Sequence, residues 1–217
     1  MSTPVHNPAD ALLLIAPSCP HCQSVLHALS DLVKSGDIGR LEVVNIAVHP
    51  ETAQEVGTRS VPWMRIGNYE LNGSYSTGEL KSWAEKAATG APAGEYIREL
   101  LEQQQLDQAI AYIEEYPDSL PQLLDMMQDE EDSLSVKFGL GAIFEALAGS
   151  DLLKTLVPEL GKLATHDKAN LRGDAAYYLG LSSAPEAARW LKPLLDDPQD
   201  DVREIAAEAL DMLGQPT

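Results

Sequence analysis

The 217-residue chain contains two cysteines, Cys19 and Cys22, within the run Ser18-Cys19-Pro20-His21-Cys22. A pair at this spacing has two chemical uses: it can cycle between dithiol and disulfide, or it can supply two thiolates to a metal such as zinc. The flanking residues favour the first use. Ahead lies a continuous apolar run at residues 11–16, fit for a central strand buried on both faces. Behind comes an apolar stripe of Val25, Ala28, Leu29, Leu32 and Val33, stopped by Gly36, which predicts a helix over 20–34. The first sulfur then sits at a helix N-terminus, where unpaired N–H groups and the helix dipole favour a thiolate. Cys19 is the expected nucleophile, attacking a disulfide to give a mixed disulfide that Cys22, one helical turn on, resolves. Pro20 suits the first turn because it has no N–H to lose. A protonated His21 would stabilise the thiolate and make the disulfide more oxidising. Zinc would need two further ligands from His6, His21, His27, His49 and His166, and His27 lies on the far side of the predicted helix. No metal and no cofactor is expected.

The cysteines need elements to hold them. Residues 41–47 read as a second strand and 51–56 as a short helix ended by Gly57. Residues 62–66 and 69–73 read as two strands about a turn at Gly67-Asn68, and 77–88 as an amphipathic helix. Small residues with Gly and Pro at 89–94 suit a linker. From residue 95 on there are only helical stripes separated by Pro, Asp and Gly. Two of them repeat: residues 198–210 match residues 167–179 at an offset of 31, and a weaker copy begins at Val136-Lys137. Each copy follows another apolar helix, at 120–127, 152–163 and 184–195. Paired helices at such a period stack into a solenoid, because one pair cannot bury its own apolar face.

These copies resemble HEAT-like repeats, whose second helix follows an Asp-rich turn and opens on Val-Arg and small residues. The resemblance implies that Leu171 and Val202 enter the core and that Arg172 and Arg203 tie the turn to neighbouring acids. Ala175, Ala176, Ala206 and Ala207 would then let helices approach closely. Two short helices within 95–116 are either a degenerate first repeat or an adaptor. Trp190, Tyr177 and Tyr178 are candidates for a binding surface, although aromatics at helical spacing more often pack in a core.

Residues 11–88 resemble the thioredoxin superfamily over its minimal core, in the Cys19-Pro20-His21-Cys22 motif, in Val61-Pro62 at the start of the third strand, and in Gly67, Gly73 and Glu79-Leu80 downstream. The resemblance implies that Pro62 is cis and faces the sulfurs, and that Val61 presents its backbone to a substrate chain. Where thioredoxins carry Trp before the first cysteine and a buried acid six residues ahead of it, this chain has Ser18 and Leu13. Pro20-His21, with Val before the proline, is more similar to the periplasmic disulfide oxidases, yet their helical insertion is not visible between residues 35 and 60. The Gly-Gly-Asp signature of glutaredoxins is also missing.

Charge separates the two halves. Residues 1–90 hold 6 Lys and Arg against 9 Asp and Glu, and residues 91–217 hold 9 against 25, so most of the net charge of −19 lies in the second half. Clustered carboxylates disfavour nucleic acid and anionic membrane as partners. The apolar run at 11–16 is too short to span a bilayer and has no basic residues ahead of it, so neither a signal peptide nor a membrane anchor is expected. The expected location is the cytoplasm, with the periplasm open for a processed mature chain. The sequence thus predicts an α/β thioredoxin-like domain (1–90), a helical linker or degenerate repeat (91–117) and an all-α HEAT-like solenoid (118–217). The expected function is thiol-disulfide exchange on a protein substrate selected by the repeats. The alternative is a redox-sensitive scaffold in which the repeats carry the main function.

Overall fold

The structure is a computed structural model and describes residues 8–90 and 92–214. The chain divides into two compact units, residues 1–92 and 93–217.

In the first unit β1 (Ala11–Ile15) leads into α1 (Cys22–Ser35), β2 (Leu41–Asn45), α2 (Pro50–Glu55), β3 (Trp63–Ile66), β4 (Tyr69–Asn72) and α3 (Thr77–Thr89). The sheet order is β2-β1-β3-β4. β1 runs parallel to β2, from Ala11 opposite Leu41 to Ile15 opposite Asn45, and antiparallel to β3, with Leu14 opposite Trp63. β3 and β4 form a hairpin whose turn uses Gly67 at φ +56°. Leu13 and Leu14 point to opposite faces of β1 and both are fully buried, as a central strand requires. α1 and α3 pack on each other, α1 through Val25, Ala28, Leu29 and Leu32 and α3 through Leu80, Trp83 and Ala84. Both end on a left-handed glycine, Gly36 and Gly90. α3 also opens on a capping box: Ser76 Oγ accepts from the Glu79 N–H, and the Glu79 carboxylate accepts from the Ser76 N–H.

One boundary departs from expectation. α1 begins at Cys22 rather than at residue 20, and His21 is its N-cap residue, so Pro20 precedes the first turn instead of occupying it. A different reason for a proline holds there: its fixed φ stiffens the loop that joins the two cysteines.

The second unit has no strand among its described residues. Its helices are α4 (Gly94–Glu102), α5 (Leu106–Glu115), α6 (Leu120–Gln128), α7 (Leu134–Ala146), α8 (Asp151–Thr155), α9 (Val157–Leu163), α10 (Ala169–Leu181), α11 (Ala188–Leu191) and α12 (Asp200–Met212). The helix expected over 152–163 is split into α8 and α9, because Pro158 has no N–H to offer the preceding turn. The one expected over 184–195 is a chain of short pieces, with 3-10 turns at Pro185–Ala187 and Lys192–Asp196 on either side of α11, each with a proline at its first or second residue. Each stretch still does the work of a first helix: α9 packs on α10, and α11 with the following 3-10 turn packs on α12.

The second helices form a row in which α4 meets α7, α7 meets α10 and α10 meets α12. Leu171 and Val202 are buried as expected, and so is Val136 in the weaker copy. Arg172 grips Asp197 in the turn ahead of α12 with two bonds, Nε to Oδ2 at 2.6 Å and Nη2 to Oδ1 at 2.8 Å. Its Nη1 also donates to the carbonyls of His166 and Asp167, both at 2.9 Å. Arg203 donates to the Asp197 carbonyl at 2.6 Å, and Lys137 takes the same part in its copy, donating to the Glu130 carbonyl at 3.0 Å. Arg98 on α4 repeats the motif one step earlier, reaching Asp132 at 2.7 Å and Asp129 at 3.0 Å in the turn ahead of α7. Ile97-Arg98-Glu99 thus corresponds to Val202-Arg203-Glu204, and α4 stands where a second helix of a repeat belongs. Residues 93–117 belong to the same unit as the repeats.

Close packing in this row falls partly on other residues than expected. Ala175, Ala176 and Ala206 are fully buried, but Ala207 is only half-buried. α10 also comes close to α12 at Gly180, where a Cβ would lie 2.9 Å from Ala209 Cα.

Candidate functional site

Strand register builds the site around the cysteines. Because Leu14 on β1 lies opposite Trp63 on β3, the chain leaving β1 passes beside Val61 and Pro62, which immediately precede β3. The Cys19 N–H donates to the Ala16 carbonyl at 3.1 Å, closing the turn that carries the first sulfur off the strand end. Pro62 is buried, and its carbonyl accepts from the Gly73 N–H at 2.9 Å, which fixes the second side of the site. The Val61–Pro62 peptide bond is cis. The Val61 carbonyl oxygen lies 3.6 Å from Cys19 Sγ.

Cys19 and Cys22 are joined by a disulfide with a Cα–Cα distance of 5.5 Å. Their surroundings differ. Cys22 is 5% exposed and sits on the buried stripe of α1, whereas Cys19 is half-buried in the loop. The Cys22 N–H, the first of α1, points at Cys19 Sγ at 3.1 Å. That N–H is one of the helix's orphan donors, so the dipole is aimed at the more accessible sulfur. Ser18, Pro20 and His21 are all exposed around it. The interior position six residues before Cys19 is occupied by the fully buried Leu13.

The other histidines are engaged elsewhere. His27 stands 3.6 Å from Asp31 on the exposed side of α1, His49 pairs with Glu51 at 2.9 Å, and His166 Nδ1 accepts from the Lys168 N–H at 3.0 Å. His6 lies outside the described residues. Among the described residues no three His, Cys, Asp or Glu side chains form a group able to hold a metal ion.

In the second unit the three aromatic candidates part company. Tyr178 is core: it is 8% exposed and stacks on Phe144 with ring centroids 4.0 Å apart, and burial pushes its phenol well above the ordinary value. Trp190 is half-buried against Gly161, and its Nε1 has no hydrogen-bond partner among the described residues. Only Tyr177 is a surface residue, its hydroxyl donating to Glu145 at 3.2 Å. Leu134 and Phe138 on α7, not singled out by the sequence, are 71% and 75% exposed. Their signal was present: a helix already burying Val136, Leu140, Ile143 and Phe144 has more apolar residues than one face can hold.

Residues 140–211, from α7 into α12, match the family model of HEAT repeats. This stretch contains both strong copies of the repeat. No curated protein matches the chain. The class of protein that these findings define is a two-unit chain with a CxxC disulfide on a four-stranded α/β unit and a HEAT-like helical array, a type of array that generally mediates protein–protein contact.

Proposed function

We propose that the protein is a thiol-disulfide oxidoreductase of the thioredoxin-like type, and that its helical repeats choose the protein on which it acts. The observation that carries this reading is the unequal pair at the start of α1. An accessible Cys19 receives the first helical N–H and stands beside the Val61 carbonyl, while the resolving Cys22 is buried three residues on. In the reducing direction the Cys19 thiolate attacks one sulfur of a substrate disulfide, forming the mixed disulfide and releasing one substrate thiolate. The Cys22 thiolate then attacks Cys19 Sγ, closing the intramolecular disulfide and releasing the second substrate thiolate. Two electrons and, after protonation of the two thiolates, two protons end on the substrate. The reverse sequence oxidises a substrate dithiol, and a dithiol reductant or a disulfide oxidant resets the enzyme. Backbone of an extended substrate chain would pair with Val61 beside the attacking sulfur.

The HEAT-like array favours a second reading, a redox-sensitive adaptor in which the cysteine pair only reports the redox state. One experiment separates the two. A Cys22→Ser variant should accumulate mixed disulfides through Cys19 with its protein substrates, and Cys19→Ser should lose turnover of a small aromatic disulfide by about a thousandfold or more, as expected when a nucleophile is removed. Turnover that survives in Cys19→Ser, or the absence of any trapped adduct, favours the adaptor.

A further inference from the structure

The faces of α7 and α10 that do not enter the core lie side by side. Two contacts fix their register: Glu130, ahead of α7, pairs with Lys168 at the cap of α10, and Glu145 near the end of α7 accepts from the Tyr177 hydroxyl near the end of α10. The helices therefore run parallel. On α7, Leu134, Phe138 and Glu145 fall within one helical stripe, and on α10 Asn170, Asp174 and Tyr177 do the same. Gly141 leaves a dent between Phe138 and Glu145, with the hydroxyl of Tyr178 beneath it, 3.7 Å from where a Cβ would lie.

This surface has two uncompensated features. Leu134 and Phe138 are the most exposed large apolar side chains among the described residues. The two carboxylates beside them have no ion pair among those residues: Glu145 meets only the neutral Tyr177 hydroxyl, and burial holds the Asp174 carboxyl above its ordinary value. The cations nearby in sequence are already engaged: Lys137 and Lys168 both bond to Glu130 ahead of α7, and Arg172 is held by Asp197. An apolar ridge flanked by unpaired acids is complementary to an apolar side chain flanked by Lys or Arg. A second copy of the chain fits poorly, since a contact between two such faces would bring like charges together on a molecule that already carries −19.

We propose that this α7–α10 face docks a basic, apolar segment of the partner protein, its large apolar side chain covering Phe138 and Leu134 and its Lys or Arg side chains meeting Glu145 and Asp174. The proposal deepens the reading that the repeats choose the partner, and its test does not use the redox chemistry. The full-length chain carrying Cys19→Ser and Cys22→Ser is titrated against a fluorescein-labelled unstructured peptide of Lys interspersed with Leu and Phe, with anisotropy as the readout. Two control peptides replace Leu and Phe by Ser, or Lys by Glu. The Lys–Leu–Phe peptide should bind, and both controls should bind at least about tenfold more weakly. Phe138→Ser with Leu134→Ser should weaken binding by about tenfold or more at an unchanged melting temperature. Glu145→Gln with Asp174→Asn should remove much of the salt dependence.

Three results would overturn the proposal: equal binding by the Phe138→Ser/Leu134→Ser protein, equal binding of the Ser-substituted peptide, or a wild-type dimer in sedimentation that Phe138→Ser makes monomeric. The last would assign the face to a second copy. None of them bears on the exchange chemistry of Cys19, which the trapping experiment tests separately.

Discussion

The two units place functional atoms by different means. In the α/β unit, residues far apart in sequence meet because strand register fixes them: the pairing of Leu14 with Trp63 sets Val61 beside Cys19, forty-two residues away, to within 3.6 Å. In the helical unit each turn is fixed by its nearest neighbours, through Arg98 to Asp129 and Asp132, Arg172 to Asp197, and Arg203 to the Asp197 carbonyl. A register error in the sheet would move every contact at the cysteines at once, whereas a local error in the array would pass to adjoining repeats and attenuate. The first architecture suits two sulfurs that must be held in one arrangement, and the second suits a long surface. Variants in one unit should accordingly leave the readout of the other in place. The two readouts are turnover of a small aromatic disulfide and thermal loss of the helical signal.

The largest stability effect is expected at Arg172. Its side chain is 13% exposed and that of Asp197 only 4%, so Arg172→Met strands a buried carboxylate. Breaking such a pair costs about 3–5 kcal/mol, enough to lower the melting of the array by roughly 10 °C or more. The bond from Arg172 holds the Asp197 carboxyl below its ordinary value. Its stabilisation is therefore complete above the unfolded carboxylate pKa of about 3.9 and is lost as pH falls through the lower folded value. The deficit of Arg172→Met against wild type should thus narrow on acidification below about pH 4. Turnover of the small disulfide should not change, and a parallel fall in turnover would show that the units are not independent.

A smaller effect is expected at Gly161, where a Cβ would lie 2.2 Å from Trp190 Cε2. Gly161→Ala must displace the indole, an overpacking cost of about 1–3 kcal/mol. Adding Trp190→Leu should recover part of the loss. A Gly161→Ala protein that melts like wild type would mean that this contact is not tight.

These sites show what the sequence could and could not reveal. The paired cysteines of Cys19-Pro20-His21-Cys22, which the structure joins in a disulfide between β1 and α1, were legible because spacing, order and context are all local. The strong repeats were legible for the same reason: Arg172 and Arg203 recur at a fixed offset, and the bonds expected of them are the ones formed. Residues 95–116 could be read only as a degenerate first repeat or an adaptor, because between Ile97-Arg98 and the next turn stand α5, a 3-10 turn and α6, which break the period. Gly161 and Gly180 carry no signal at all, since their role lies in the absence of atoms next to Trp190 and Ala209 on other elements. The aromatic residues misled in part: Tyr177 and Tyr178 are adjacent in sequence, yet a rotation of one residue on α10 sends the first to solvent and the second into the core against Phe144.

The smallest effect is expected at His21, where it would sharpen the account of the α/β unit without touching the array. His21 is the N-cap residue of α1, exposed and between the two cysteines, so a proton on its imidazole adds to the field that the helix terminus already places at Cys19. The added charge stabilises the thiolate of the reduced form and makes the disulfide the stronger oxidant, but water screens an exposed charge and keeps the contribution modest. The potential should therefore lie above the value of about −270 mV of thioredoxins, and His21→Gly should lower it by about 30 mV, which for two electrons corresponds to roughly 1.4 kcal/mol. Equilibration of both proteins against glutathione over a range of pH measures the difference directly. The melting of the helical signal should stay the same in both proteins. Equal potentials at every pH would remove His21 from the mechanism and leave the first N–H of α1 as the group that tunes Cys19.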